Sequence, residues 1–303
     1  MKCMKFVGLD GSNPLGFLSA LGLLRLVRGA GLAFSTDGSF QALLRTDMTP
    51  IDIVSLVLAD AETASAANGP PWRLTYTKAA TKKQGPHEVA DLKAPPSDFK
   101  KLMRRCLDCW LAGDNEAAAY AAAFGTDVAV DGNGNTKPTA FHFTAANQTF
   151  LGLVEQIRAS LTREWIEAAL FRGHAEKSGS NLRWDPGSER NWALMANNPN
   201  EDGTRVNAPL EWLAFRGLPM LPSFPSGTRV VTTCVFGRGG DMTFRWPLWS
   251  VPASVQAVRS ALQLKWTQSA TERLARGVFA TCSSEIRRTS QGFGNFGPSL
   301  VTC

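Results

Sequence analysis

Arginine and tryptophan close together around a run of glycine are the first residues of this chain that could do chemistry. The stretch FGRGGDMTFRWPLW (236–249) sets Arg238 and Arg245 beside Trp246 and Trp249. Guanidinium groups neutralise phosphates and release counterions, while aromatic faces stack on unpaired bases, so a nucleic-acid site combines the two. Three regions carry that combination. The first runs from Lys78 through Lys82, Lys83, Lys93, Lys100, Lys101 and Arg104 to Arg105 and holds eight basic against three acidic residues. The second holds Arg229, Arg238, Arg245 and Trp246, and the third, near the C-terminus, Arg287, Arg288, Phe293 and Phe296. For each, the competing reading is a solvated charged face beside ordinary core aromatics. Strand alternation puts Phe244 and Trp246 on one face and Arg245 on the other, so those aromatics are expected in the core. Arg238, with Arg245, is the phosphate contact left there, and Lys78 to Arg105 is the stronger binding region.

Catalytic spacings are missing. GLDGSNPLG (8–16) lacks the GxxxxGK[ST] lysine of a phosphate loop and reads as a helix start, and GRGGD (237–241) lies between two strands, where a dinucleotide fingerprint does not belong. No GxSxG, HExxH or deaminase pattern occurs, and His87, His142 and His174 stand far apart. His142 alternates with Phe141 and Phe143 like a partly buried strand residue. Asp185 and Glu189 could act with a metal in hydrolysis, although a turn with local salt bridges is the simpler reading. Cys106 and Cys109 form one CxxC without the second ligand pair that zinc needs, which suits one face of a buried helix. The chain calls for no metal and no cofactor, and we read it as not an enzyme.

Composition bounds the rest. With 303 residues, 44% of them hydrophobic, the chain can fill a large core, and a net charge of +6 favours a polyanionic partner. Six scattered cysteines suit reduced thiols. The apolar N-terminal stretch is interrupted by Asp10, Asn13 and Pro14 and followed by Arg25 and Arg28, unlike a signal peptide. No apolar run reaches the roughly 18 residues of a membrane span. A cytoplasmic location is expected.

These residues must be positioned by a mixed α+β fold of helices and antiparallel hairpins, either one large domain or two closely packed subdomains. Residues 1–143 would form an α+β region with a basic loop over 68–98, and 144–303 a region of helices and β-hairpins. Asn13 or Ser12 can cap a helix starting at Pro14 that is apolar almost all round, and so belongs inside. KFVGL reads as a strand before it, and GLAFSTDGSFQALLRT as strand, turn and strand after it. Further helices are expected over 51–66, from an Asp98 cap onward, over 115–123, over 145–171 with a break near Thr162, after Pro209, over 254–264 and over 271–279. Hairpins are expected around DGNGN (131–135) and around Gly237–Asp241, with Pro247 ending the second pairing.

Three stretches together carry a resemblance: GLDGSNPLGFLSALGLLRLV (8–27), LRWDPGSER (182–190) and PLEWLAFRGLPMLPSFPSGTRVVTTCVFGRGGDMTFRWPLWSVPASVQAVRSAL (209–262). The chain resembles small proteins encoded with type I-G (formerly I-U) CRISPR systems, which are similar to pieces of the Cascade large subunit or occur as an extension of the helicase–nuclease. The likeness covers under half of the chain, and its motifs are structural. It implies a non-catalytic component of a Cascade-like interference complex that binds DNA or guide RNA and partner subunits, with cleavage left to the helicase–nuclease. Asp185, Pro186, Trp212, Gly217, Pro222, Trp246, Pro247 and Leu248 match the pattern as fold determinants. Arg183, Arg190, Arg229, Arg238 and Arg245 are the nearby groups able to touch phosphate. A protein-only adaptor to the helicase–nuclease, or a metal-dependent hydrolase, are the rival readings.

Overall fold

Helix α1 (Pro14–Leu26) starts where it does because the Asn13 side chain accepts the Leu15 N–H at 2.8 Å and Pro14 needs no partner for a missing donor. Every residue from Pro14 to Leu24 is buried, as expected of a helix apolar on all sides. The computed structural model describes residues 2–64, 72–78, 85–144, 147–173, 175–188, 205–264, 269–289 and 293–303. Strand β1 (Lys2–Asp10) precedes α1, and β2 (Gly31–Phe34) and β3 (Gln41–Thr46) follow as a hairpin; the three make an antiparallel sheet in the order β1-β3-β2. Helix α2 (Pro50–Thr63) opens with a capping box between Thr49 and Asp52.

Within the expected basic loop the chain forms an antiparallel hairpin of β4 (Thr75–Lys78) and β5 (His87–Ala90). Helix α3 (Pro96–Leu111) begins two residues before Asp98, which therefore sits in its first turn and does not cap it. Next come α4 (Asn115–Phe124), the hairpin β6 (Gly125–Val130) and β7 (Thr136–Pro138), α5 (Phe150–Ala159) and α6 (Arg163–Phe171). The break near Thr162 is an N-cap, whose hydroxyl accepts the Trp165 N–H at 3.2 Å. Short β8 (Lys177–Ser178) pairs with β9 (Arg205–Val206), and α7 (Ala208–Gly217) is capped by Asn207.

Strand β10 (Ser223–Ser226) pairs with β11 (Arg229–Thr232). The hairpin at 237–241 is real but short: β12 (Val235–Phe236) pairs with only the start of β13 (Thr243–Trp249). After α8 (Val255–Leu262), α9 (Ala270–Ala275) ends early, and Val278 opens β14 (Val278–Arg288), which becomes the main partner of β13. The glycine-rich tail is also a strand, β15 (Gly294–Thr302), completing the order β12-β13-β14-β15. Pro247 does not end the pairing; it lies opposite Thr281. Arg245 sends its N–H toward the β12 side, to the Cys234 carbonyl at 2.8 Å, and Pro247 has the same parity. Its missing donor thus falls beyond the end of β12, where no ladder requires one.

Helices α1 and α7 cross at the centre, and α7 is buried at every position. Small residues make the crossing possible. A Cβ on Gly22 would lie 1.8 Å from the Leu213 carbonyl oxygen, and one on Gly217 would lie 2.2 Å from that of Leu18. At the same crossing the Ser19 hydroxyl donates to the Leu210 carbonyl at 2.7 Å. One buried cluster surrounds this pair and runs from Phe6 to Phe296, drawing on both 1–143 and 144–303. No helix among the described residues is long and apolar enough to cross a membrane.

Candidate nucleic-acid interface

Helix α3 carries its basic residues because its apolar ones recur at helical spacing: Phe99, Leu102 and Cys106 face the core, leaving Lys100, Lys101, Arg104 and Arg105 outside. Burial pushes the Cys106 thiol up to about 11. Much of the outer charge is already engaged. Lys101 pairs with Asp98 at 2.6 Å, Lys100 lies 3.7 Å from Asp127, and Arg105 donates to the Arg73 carbonyl. Arg104 is exposed and makes no ion pair with other described residues, and Lys78 is exposed at the end of β4. Lys93 is half-buried, its carbonyl accepting the Tyr76 hydroxyl at 2.7 Å. Lys82 and Lys83 lie outside the described residues.

Of the aromatic residues in the other two regions, Phe244, Trp246 and Phe296 are core residues. Trp246 is fully buried with its indole N–H on the Gly11 carbonyl at 2.7 Å, and Phe244 and Phe296 are buried against each other. Arg245 points outward, as alternation requires, and lies 5.6 Å from the Phe236 ring. Arg229 and Arg238 are exposed on β11 and in the glycine turn. Arg287 pairs with Glu285 at 3.4 Å. Arg288 donates to the His142 and Ala140 carbonyls at 3.1 and 3.0 Å, clamping β14 to the loop after β7, and burial lowers its pKa. Phe293 is covered by Arg183 at 4.5 Å.

A pocket of about 540 Å³ gathers different residues: Arg25 and Arg28 from the end of α1, Trp110 from α3, Gly113 to Glu116 at the start of α4, and Arg259 from α8. Arg25 is committed, gripping both Glu116 oxygens at 2.8 Å and donating to the Arg216 carbonyl. Asp114 accepts the Glu116 N–H at 2.9 Å as the α4 cap. Arg28 and Arg259 are exposed to the pocket and make no hydrogen bond or ion pair with other described residues. Trp110, 49% exposed, is the one described tryptophan that is not buried. It continues an outward apolar stripe of Met103, Leu107 and Leu111 at i, i+4, i+7 and i+8. Sequence reasoning missed this site: Arg25 and Arg28 had registered only as charges beyond an apolar run, and α8 meets them through tertiary packing. The signal present was the stripe spacing on α3.

The remaining candidate chemistry lies inside. His142 is not a partly buried strand residue: it is buried in the loop after β7 and pairs with Asp91 at 3.0 Å. Asp91 also accepts the Phe150 N–H at 3.0 Å; burial works against its charge, but these hydrogen bonds and His142 bring its pKa below the ordinary value. Asp185 accepts from Asn13 at 3.1 Å and from the Gly187 N–H at 3.0 Å, while Glu189 lies outside the described residues. No group of three His, Cys, Asp or Glu side chains able to hold a metal occurs among the described residues.

Glu211, buried in α7, accepts the Leu182 N–H at 3.3 Å and that of Trp184, and burial, reinforced by the nearby Asp185 charge, raises its pKa to about 8. Folded Glu211 therefore holds its proton more tightly than the unfolded chain, whose glutamate titrates near 4.5. The stability it supplies is full below that value and is lost as pH rises toward 8, by about 1.4 kcal/mol per unit. Glu211→Gln should unfold at a midpoint that stays level across this window in urea titrations, overtaking the wild type on the alkaline side. Parallel pH profiles for the two proteins would refute the assignment.

The three stretches of the CRISPR resemblance meet here, through Asn13 with Asp185, Leu182 with Glu211, and α1 with α7. No protein-family model, curated protein or solved structure matches the chain.

Proposed function

We propose that this chain is a non-catalytic, nucleic-acid-binding subunit of a type I CRISPR interference complex, working with partner subunits in the cytoplasm. The observation that carries the binding is the pocket where Arg28 and Arg259, unpaired among the described residues, meet a half-exposed tryptophan. Arg104 on α3 and Lys78 at the end of β4 are further exposed cations. The CRISPR context rests on the three resembling stretches, whose meeting at α1 and α7 fits their reading as fold determinants.

Affinity for labelled duplex DNA, single-stranded DNA and RNA, measured across salt, tests the reading. Phosphate contacts made by a handful of cations should cut affinity by about a hundredfold or more between about 50 and about 200 mM salt. Neutralising Lys78, Lys100, Lys101, Arg104 and Arg105 should flatten that dependence. A second reading, the protein-only adaptor, is favoured by the outward stripe of Met103, Leu107 and Leu111. It would be preferred if no nucleic acid bound and Leu107→Asp with Leu111→Asp released the chain from its effector subunits.

A further inference from the structure

The geometry points to one occupant of the pocket between α1, α3, α4 and α8: a single unpaired nucleotide, its phosphate between Arg28 and Arg259 and its base against Trp110. This deepens the nucleic-acid reading and rests on it for the strand that supplies the nucleotide. About 540 Å³ lies within the range of small-ligand pockets and has room for one nucleotide. The lining has an unbalanced charge. Arg25 is paired with Glu116, and the Asp114 carboxylate accepts the Glu116 N–H, so the three arginines of the lining outnumber its two carboxylates. Arg28 and Arg259 make no direct ion pair with other described residues. Partial loss of solvent and the like charge of Arg25 draw the Arg259 pKa down, with Glu116 opposing them. An anion there would remove that conflict. The start of α4, a helix of 10 residues, lies in the same wall, its positive dipole end already met by Asp114 and Glu116.

Trp110 supplies what a phosphate pocket alone does not need. Of the described buried tryptophans, 165, 184, 212, 246 and 249 donate their indole N–H to oxygens within the fold, and Trp72 packs on the Tyr120 ring. Trp110 instead presents a half-exposed ring at the pocket edge. A base stacked on such a ring must be out of a double helix, so the site should prefer a single strand. A free nucleoside monophosphate offers the same chemistry as one residue of that strand.

Calorimetric titrations with dAMP, with a single strand of about 12 nucleotides and with the corresponding duplex separate the sources. Wild-type protein should bind the single strand more tightly than the duplex. Trp110→Leu should weaken single-strand binding by about tenfold, while Trp110→Phe keeps most of it. Arg28→Ala with Arg259→Ala should lower the magnitude of the salt slope by about 1.4. All three positions are exposed, and unchanged unfolding midpoints would confirm intact folds. If the wild type binds nucleic acid and these variants bind equally well, the pocket inference is overturned while the broader reading stands. Binding of dAMP but of no strand, lost in the same variants, would keep the pocket and sink the nucleic-acid reading. Binding of neither would end both.

Discussion

Gly22→Ala should destabilise the protein by about 3 kcal/mol or more, enough to yield insoluble or partly unfolded chain, because the added methyl meets backbone and has nowhere to go. Its Cβ would sit 1.8 Å from the Leu213 carbonyl oxygen and 2.7 Å from the carbonyl carbon. A flexible side chain could swing away; a helical peptide group cannot. Relief requires α1 and α7 to move apart, which would open the packing of two helices buried around the crossing and stretch the Ser19 to Leu210 hydrogen bond of 2.7 Å. Helix propensity works the other way, since alanine in a helix interior is favoured over glycine by about 1 kcal/mol, so the outcome decides between local preference and packing. Gly132→Ala, with open space around its Cβ and no left-handed backbone, is the control and should change stability by less than about 0.5 kcal/mol. Equal urea midpoints for the two variants would show that the helices do not approach this closely.

The second large effect concerns Arg216, a cation placed on an entirely buried helix. Its guanidinium lies 3.0 Å from Asp60 and 3.9 Å from Glu116, donates to the Tyr120 hydroxyl at 2.9 Å, and sits over the rings of Trp72 and Tyr120. Burial disfavours the charge, but Tyr120, Asp60 and Glu116 outweigh it and hold the arginine protonated. Arg216→Leu strands Asp60 without its cation and should cost about 3–5 kcal/mol. The double variant with Asp60→Leu should recover part of that loss, because no uncompensated charge remains. Recovery will be incomplete, since Trp212 donates its indole N–H to Asp60 at 3.1 Å and would be left unpaired, worth about 1–3 kcal/mol. Strict additivity of the two single changes would mean that the pair is not coupled.

Much of the fold was legible where local chemistry decides it. Asn13 before Pro14, Thr162 before α6 and Ser254 before α8 all cap helices that the sequence pattern predicts. The alternation in TFRW likewise places Phe244 and Trp246 inward and Arg245 outward, but it fails in PLW, where Pro247 and Trp249 are buried along with Leu248. Strand partners were less legible, because pairing is a tertiary choice: β13 is hydrogen-bonded along its length to β14 and only at its start to β12, the strand just before it. The glycines of the tail concealed β15, and the prolines around 68–98 concealed β4 and β5. The candidate site was legible only in part. Charge counting located α3, but engaged lysines look like free ones in a sequence, and Arg28, Trp110 and Arg259 are joined only when α1, α3 and α8 pack.

The crossing of α1 and α7 also sets a timetable for the newborn chain. Ser19 and its partner Leu210 are 191 residues apart. At a synthesis rate of about 5–20 residues per second, α1 spends roughly 10–40 s complete but without the helix that covers it. An apolar cylinder left uncovered for that long is a surface that ribosome-associated chaperones bind. Folding yield should therefore depend on their supply and on translation speed more steeply than the stability of the finished protein would suggest.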